Sequence, residues 1–179
     1  GTGGTREREL AYDGDQVEYY ITLQGAEAGE KFELPSNTID VKSVKFNMYK
    51  NCKATVKIYD DMASSPVKVF EDVAAPGQSW KRLDLEEGLL NGTESFLVSV
   101  TSEEALGYSE ANSGSGKAYL KSDGEFTDLN QFELSDGTIL TGNWLIRAII
   151  SLSSEPTIAL THNYLNLNDG DSYTSFKTI

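Results

Sequence analysis

Apolar and polar residues alternate along most of this chain in short runs, and turn residues separate the runs. In VKSVKFNMY (41–49), Val44, Phe46 and Met48 fall on one side and Ser43, Lys45 and Asn47 on the other. A period of two is the geometry of a β-strand, whose successive side chains point to opposite faces. The same pattern predicts strands at QVEYYITL (16–23) and at GEKFELP (29–35), which stops at Pro35. It also predicts ATVKIYDD (54–61), with Ala54, Val56 and Ile58 inward. Only KNCK lies between that strand and 41–49, and so short a link predicts a hairpin. PVKVFED (66–72), SWKRLDL (79–85) and ESFLVSVTS (94–102) follow, the last with Phe96, Val98 and Val100 on one face.

TGNWLIRAIISL (141–152) is the most strand-like run of all. Trp144, Ile146, Ala148 and Ile150 point one way, and Leu145, Arg147 and Ile149 the other. With both sides largely apolar, this is expected to be a central strand covered on each face. Arg147 interrupts it, and a buried guanidinium without a partner is very costly. A structural role follows: the aliphatic stem packs while the fork reaches a carboxylate or carbonyl. Trp80 and Trp144 are expected in the core.

Between residues 103 and 130 the texture becomes small and polar, which predicts a long surface excursion with a short strand near KAYLK. LEEGLLNG (85–92) competes as a helix but is too short and carries Gly88. About ten strands at regular spacing, with no substantial helix, predict an all-β chain folded as an antiparallel β-sandwich. Jelly-roll and immunoglobulin-like topologies both fit this pattern. Residues 1–9 are expected to be a linker or leader and 10–154 the sandwich. Residues 155–179 are a tail, either final strands or, the preferred reading, the start of an immunoglobulin-like module.

The order of these segments resembles a jelly-roll module of bacterial extracellular multidomain proteins, including secreted peptidases and surface proteins. The resemblance lies in LAYDGDQVEYY (10–20), VKSVKFNMYKN (41–51), ATVKIYDD (54–61), SWKRLDL (79–85), FLVSV (96–100) and GNWLIRAII (142–150). Asp13-Gly14-Asp15 stands where the module has paired aspartates. The resemblance implies a jelly-roll-like, non-catalytic accessory domain that binds surfaces, glycans or proteins, and it carries over no catalytic residue.

Composition narrows the partners. The 179 residues include 28 acids and 15 basic residues, a formal charge of −13. Such a surface repels phosphate backbones and anionic membranes, so nucleic acid is excluded as an expected partner. No apolar run is long enough for a membrane-spanning helix. The single cysteine, Cys52, allows neither an intrachain disulfide nor a cysteine metal cluster. An extracellular or cell-surface location is expected from the resemblance, with neighbouring domains of a parent protein as partners.

The candidate chemistry is sparse. His162 is the only histidine, no GxSxG elbow is present, and one His with one Cys offers no zinc spacing. Acidic turns at Asp13-Gly14-Asp15, Asp60-Asp61 and Asp169-Gly170-Asp171 offer oxygen ligands for calcium, with Asp13 and Asp15 the preferred pair. The competing explanation is backbone need, since Asp caps turns and Gly permits positive φ. For a sugar, Tyr108 with Glu110 and Asn112 forms a candidate platform in the polar excursion. Asn91-Gly92-Thr93 matches a glycosylation sequon and is read as a turn before a strand. The expected function is a non-catalytic binding or adhesion module for a glycan or protein. The alternatives are a ligand-free spacer and a carbohydrate-active enzyme using a carboxylate pair.

Overall fold

A computed structural model describes residues 5–153 and 176–179. In chain order its strands are β1 (Thr5–Leu10), β2 (Tyr19–Thr22), β3 (Glu27–Glu33), β4 (Thr38–Met48) and β5 (Cys52–Asp60). β6 (Lys68–Ala75), β7 (Ser79–Asp84), β8 (Ser95–Thr101), β9 (Leu106–Ser109) and β10 (Ala118–Lys121) follow. The last are β11 (Thr127–Asp128), β12 (Asn143–Trp144), β13 (Ile146–Ser153) and β14 (Phe176–Thr178). One short 3-10 turn, Leu129–Gln131, is the only helical element among the described residues.

Two sheets face each other. The first runs β1-β13-β4-β9-β2-β14, with β7 paired to β4 and β12 to β9. The second runs β11-β10-β3-β8-β5-β6. The antiparallel pairs β1·β13, β3·β10, β4·β9 and β5·β8 are nested in sequence, each inside the one before. That nesting is the pattern of a long hairpin rolled into a sandwich, so the architecture is an all-β sandwich of the jelly-roll-like kind. Val44, Phe46 and Met48 of the first sheet join Val56, Ile58, Phe96, Val98 and Val100 of the second in one apolar core. Each of these side chains is fully buried, as their alternation demands.

Three expectations change. The strands at 41–49 and 54–61 do not form a hairpin. β4 belongs to the first sheet and β5 to the second, where it pairs with β6 and β8. Residues 49–51 therefore carry the chain across the core, because both strands bury an apolar face and the two faces are satisfied by each other. Residues 103–130 are not a surface excursion throughout, because Leu106–Ser109 is a fully buried strand. Trp80 is not in the core but half-buried on β7, against the outside of the first sheet. Trp144 does lie in the core. His162, Asp169 and Asp171, and residues 155–175 generally, lie outside the described residues. Phe176–Thr178 pairs in parallel with β2.

Candidate functional site

The most concentrated charge lies where β1, β13, β4 and β7 present their outer faces. Arg147 is flanked on β13 by Ile146 and Ala148, which enter the core, so its own side chain must leave on the outer face. There it is 8% exposed. Its Nε donates to Asp13 Oδ2 at 2.8 Å and its Nη2 to Asp13 Oδ1, a two-pronged fork. Nη2 also donates to Asp15, and Nη1 to Glu9 Oε2 at 2.6 Å. Lys45, directly opposite Arg147 on β4, would repel it, but Glu9 bridges the two by accepting from Lys45 Nζ at 3.0 Å. Trp80 covers the group, with the guanidinium carbon 4.5 Å and the Lys45 nitrogen 4.9 Å from the ring centroid.

Burial by itself would lower the Arg147 pKa, but Asp13, then Glu9 and Asp15, raise it above its ordinary value. Burial pushes Glu9 upward, and hydrogen bonds from Arg147 and Lys45 more than reverse this, so its carboxyl sits below the ordinary range. Asp13 Oδ1 additionally accepts the backbone N–H of Asp15, whose φ is +69°. Asp13 and Asp15, the preferred calcium ligands from the sequence, are thus tied to a guanidinium. Among the described residues no group of three or more His, Cys, Asp or Glu side chains is arranged to hold a metal ion.

Tyr108, Glu110 and Asn112 do not form an exposed platform. Tyr108 is fully buried on β9, its ring edge-on to Trp144 at 6.0 Å, and its hydroxyl accepts the Gly142 N–H at 2.6 Å. Burial pushes its pKa up to about 12. Glu110 and Asn112 are exposed, and each is engaged in loop closure. The Glu110 N–H donates to Glu18, and Asn112 Nδ2 donates to the Tyr12 carbonyl at 2.6 Å. Alternation explains the outcome: Leu106 and Tyr108 share a face, and the apolar Leu106 takes that face into the core.

Two further carboxyls, absent from the sequence-based candidates, are buried. Glu30 on β3 is fully buried between the sheets, where Oε1 accepts the Trp144 N–H at 3.0 Å and Oε2 has no partner. Burial raises its pKa well above the ordinary value, and the nearby charge of Asp13 adds to this. Glu30 alternates with Ala28 and Phe32, and that period was the available signal for its burial. Glu27 lies on the opposite, outer face of the second sheet and is 7% exposed. Its Oε2 accepts hydroxyl hydrogens from Tyr59 at 2.6 Å and from Ser99. Burial first, and Glu27 second, raise the Tyr59 pKa.

Two of the pockets on the surface of the described residues are shallow. One, of about 230 Å³, is lined by Gly25, Lys53, Thr55, Asp72, Thr101 and Glu103. The other, of about 250 Å³, lies between Pro35, Ile39 and the turn Asn91–Thr93. No helix among the described residues is long and apolar enough to cross a membrane.

No protein-family model and no curated protein matches the chain. Among solved structures, the fold is similar to that of the clostridial cysteine protease Cwp84 after propeptide cleavage. The TM-score is 0.53 at 16% identity, over 83% of this chain and 40% of that one. A structure of the cysteine protease and lectin-like domains of Cwp84, a surface layer associated protein of Clostridium difficile, aligns with a TM-score of 0.48 and 15% identity. That alignment covers 71% of this chain and 32% of the other. The chain thus corresponds to well under half the length of either, and the likeness is one of fold.

Proposed function

We propose that this chain is a non-catalytic accessory module of a larger bacterial secreted or cell-surface protein, and that it binds a glycan or a protein. The observation that carries the reading is how its polar groups are disposed. The densest charge cluster is closed on itself, with Arg147 held by three carboxylates and roofed by Trp80. Every side chain of that cluster is committed to a partner within it, so none of its members is poised for proton transfer or attack. The similarity of fold to Cwp84 supports the same context, a domain within a longer surface-associated chain.

The rival reading, a carbohydrate-active enzyme with a carboxylate pair, draws on Asp72 and Glu103, which line one pocket. A glycan array and a pull-down from cell-envelope extract, run beside a glycoside turnover assay, separate the readings. The module reading expects a saturable ligand without turnover. Turnover lost in E103Q would replace it with the enzyme, and blank results in all three assays would leave only a spacer.

A further inference from the structure

We infer that the outer face of the second sheet, together with the pocket at its end, is a docking surface for an acidic glycan, a sugar chain bearing carboxylates. This rests on the reading of the chain as a binding module and names its ligand class and site.

Alternation on β5 sends Ala54, Val56 and Ile58 into the core, so Lys53, Thr55, Lys57 and Tyr59 lie on the outer face. Lys57 stands opposite Ser99 of β8 on one side and Val69 of β6 on the other. Lys31 of β3 and Lys121 of β10 share that face, so four of the lysines of a chain with net charge −13 gather on one side of one sheet. The carboxylates nearby do not neutralise them all. Asp61 pairs with Lys31 at 3.2 Å, and Glu27 is buried beneath the hydroxyls of Tyr59 and Ser99. Lys121 lies over the rings of Phe126 and Tyr59, at 5.3 and 5.8 Å. Lys53 and Lys57 have no salt-bridge partner among the described residues. Elsewhere, Lys45, Lys68, Lys117 and Lys177 each meet a carboxylate, while Lys42 and Lys81 on strands of the first sheet, and Lys50 just beyond β4, have no salt bridge among the described residues, so it is the gathering of lysines on one face that sets this sheet apart. An ammonium left unpaired among so many acids is free to meet an external anion.

The pocket sets the chemistry of the rest of the ligand. Thr55 and Thr101 are cross-strand partners on this face and also line the pocket, so it opens directly onto the lysine row. Hydroxyls from both, the Lys53 ammonium and the carboxylates of Asp72 and Glu103 offer donors and acceptors together, which suits a polyol. The same carboxylates repel a densely charged phosphate polymer. The apolar surface open to a protein partner is confined to the β6 edge, where Val69 is exposed, since Leu97 at the centre is wholly buried. A sugar chain with one carboxylate per unit or fewer meets all three conditions.

The test is calorimetric titration with galacturonate and hyaluronate oligomers at low and moderate salt, with neutral oligosaccharides of equal length as controls. K53Q/K57Q removes two charges from the face. K42Q/K50Q removes two exposed charges elsewhere on the molecule. The inference expects at least one acidic oligomer to bind and the neutral ones not to. It also expects affinity to fall with salt, a loss of at least tenfold in K53Q/K57Q, and a change within twofold in K42Q/K50Q. Equal losses in both double variants, or unchanged affinity in K53Q/K57Q, would overturn it. Absence of acidic-oligomer binding while the array or pull-down yields another ligand also overturns it and leaves the module reading standing. A blank in every assay removes both.

Discussion

On the outer face of the first sheet, Arg147 and Lys45 meet Glu9, Asp13 and Asp15 under the Trp80 ring; on the outer face of the second, Lys53 and Lys57 form no salt bridge among the described residues, although Lys53 shares a pocket with Asp72 and Glu103. The residue types are the same and the chain is the same, yet one set is closed and the other open. Burial makes the difference. Arg147 is almost wholly buried, so an arrangement without matched acids would be very costly. Lys53 is exposed and Lys57 half-buried, water solvates both ammonium groups, and nothing compels a partner. An internally matched cluster holds the sheet together, whereas an unmatched, solvated one remains available for something outside the molecule.

Substitutions can break this contrast. R147M should have the largest effect, because it strands the carboxylate of Asp13 with no exposed surface around it. Loss of one partner of a buried pair typically costs about 3–5 kcal/mol. Urea unfolding that shows a loss under about 1 kcal/mol would mean that the cluster is solvated after all. Y59F probes Glu27, the buried carboxylate of the second face. It removes a hydroxyl that donates to Glu27, leaving Ser99 as the remaining hydroxyl donor, and should cost about 1–3 kcal/mol in the same experiment.

Glu30, between the two faces, makes a pH-dependent prediction. Burial raises the folded pKa of its carboxyl well above the unfolded value. Its contribution to stability is therefore fully present below the unfolded pKa and is lost as pH rises toward the folded one. Gln keeps the acceptor for the Trp144 N–H and never ionises. Unfolding free energies measured from pH 4 to pH 8 should therefore favour E30Q over the native protein by a margin that grows with pH. A constant difference would show that Glu30 titrates as an ordinary carboxyl. The smallest effect is expected for K53Q/K57Q, within about 0.5 kcal/mol, since solvated surface charges contribute little to folding. A melting temperature that moves by several degrees would mean that these lysines are structural, and the two faces would then not differ in kind.

Much of this was legible in the sequence, for particular reasons. Val44, Phe46 and Met48 alternate without interruption, and so do Ala54, Val56 and Ile58, so their burial followed from the strand period. Arg147 could be recognised as a residue in need of partners because apolar residues flank it on both sides. The identity of those partners could not be read, because Glu9, Asp13 and Asp15 are more than a hundred residues away along the chain. Tyr108 reads as a loop residue because small and polar neighbours surround it, although the four residues of β9 are all buried. Glu27 and Glu30 look like ordinary surface acids in a chain rich in them. What separates them is which sheet face each one takes.

The sequence by itself determined that the chain is all β, which side chains of its long strands turn inward, and that one arginine needs partners. These follow from local geometry, the two-residue period of the strand and the cost of an unpaired buried charge. Only the tertiary structure decided that β4 and β5 lie in opposite sheets, that Arg147 takes the acids proposed for calcium, and that Lys31, Lys53, Lys57 and Lys121 share a face. Each of these depends on strand order, and a period of two is the same whichever strand lies alongside.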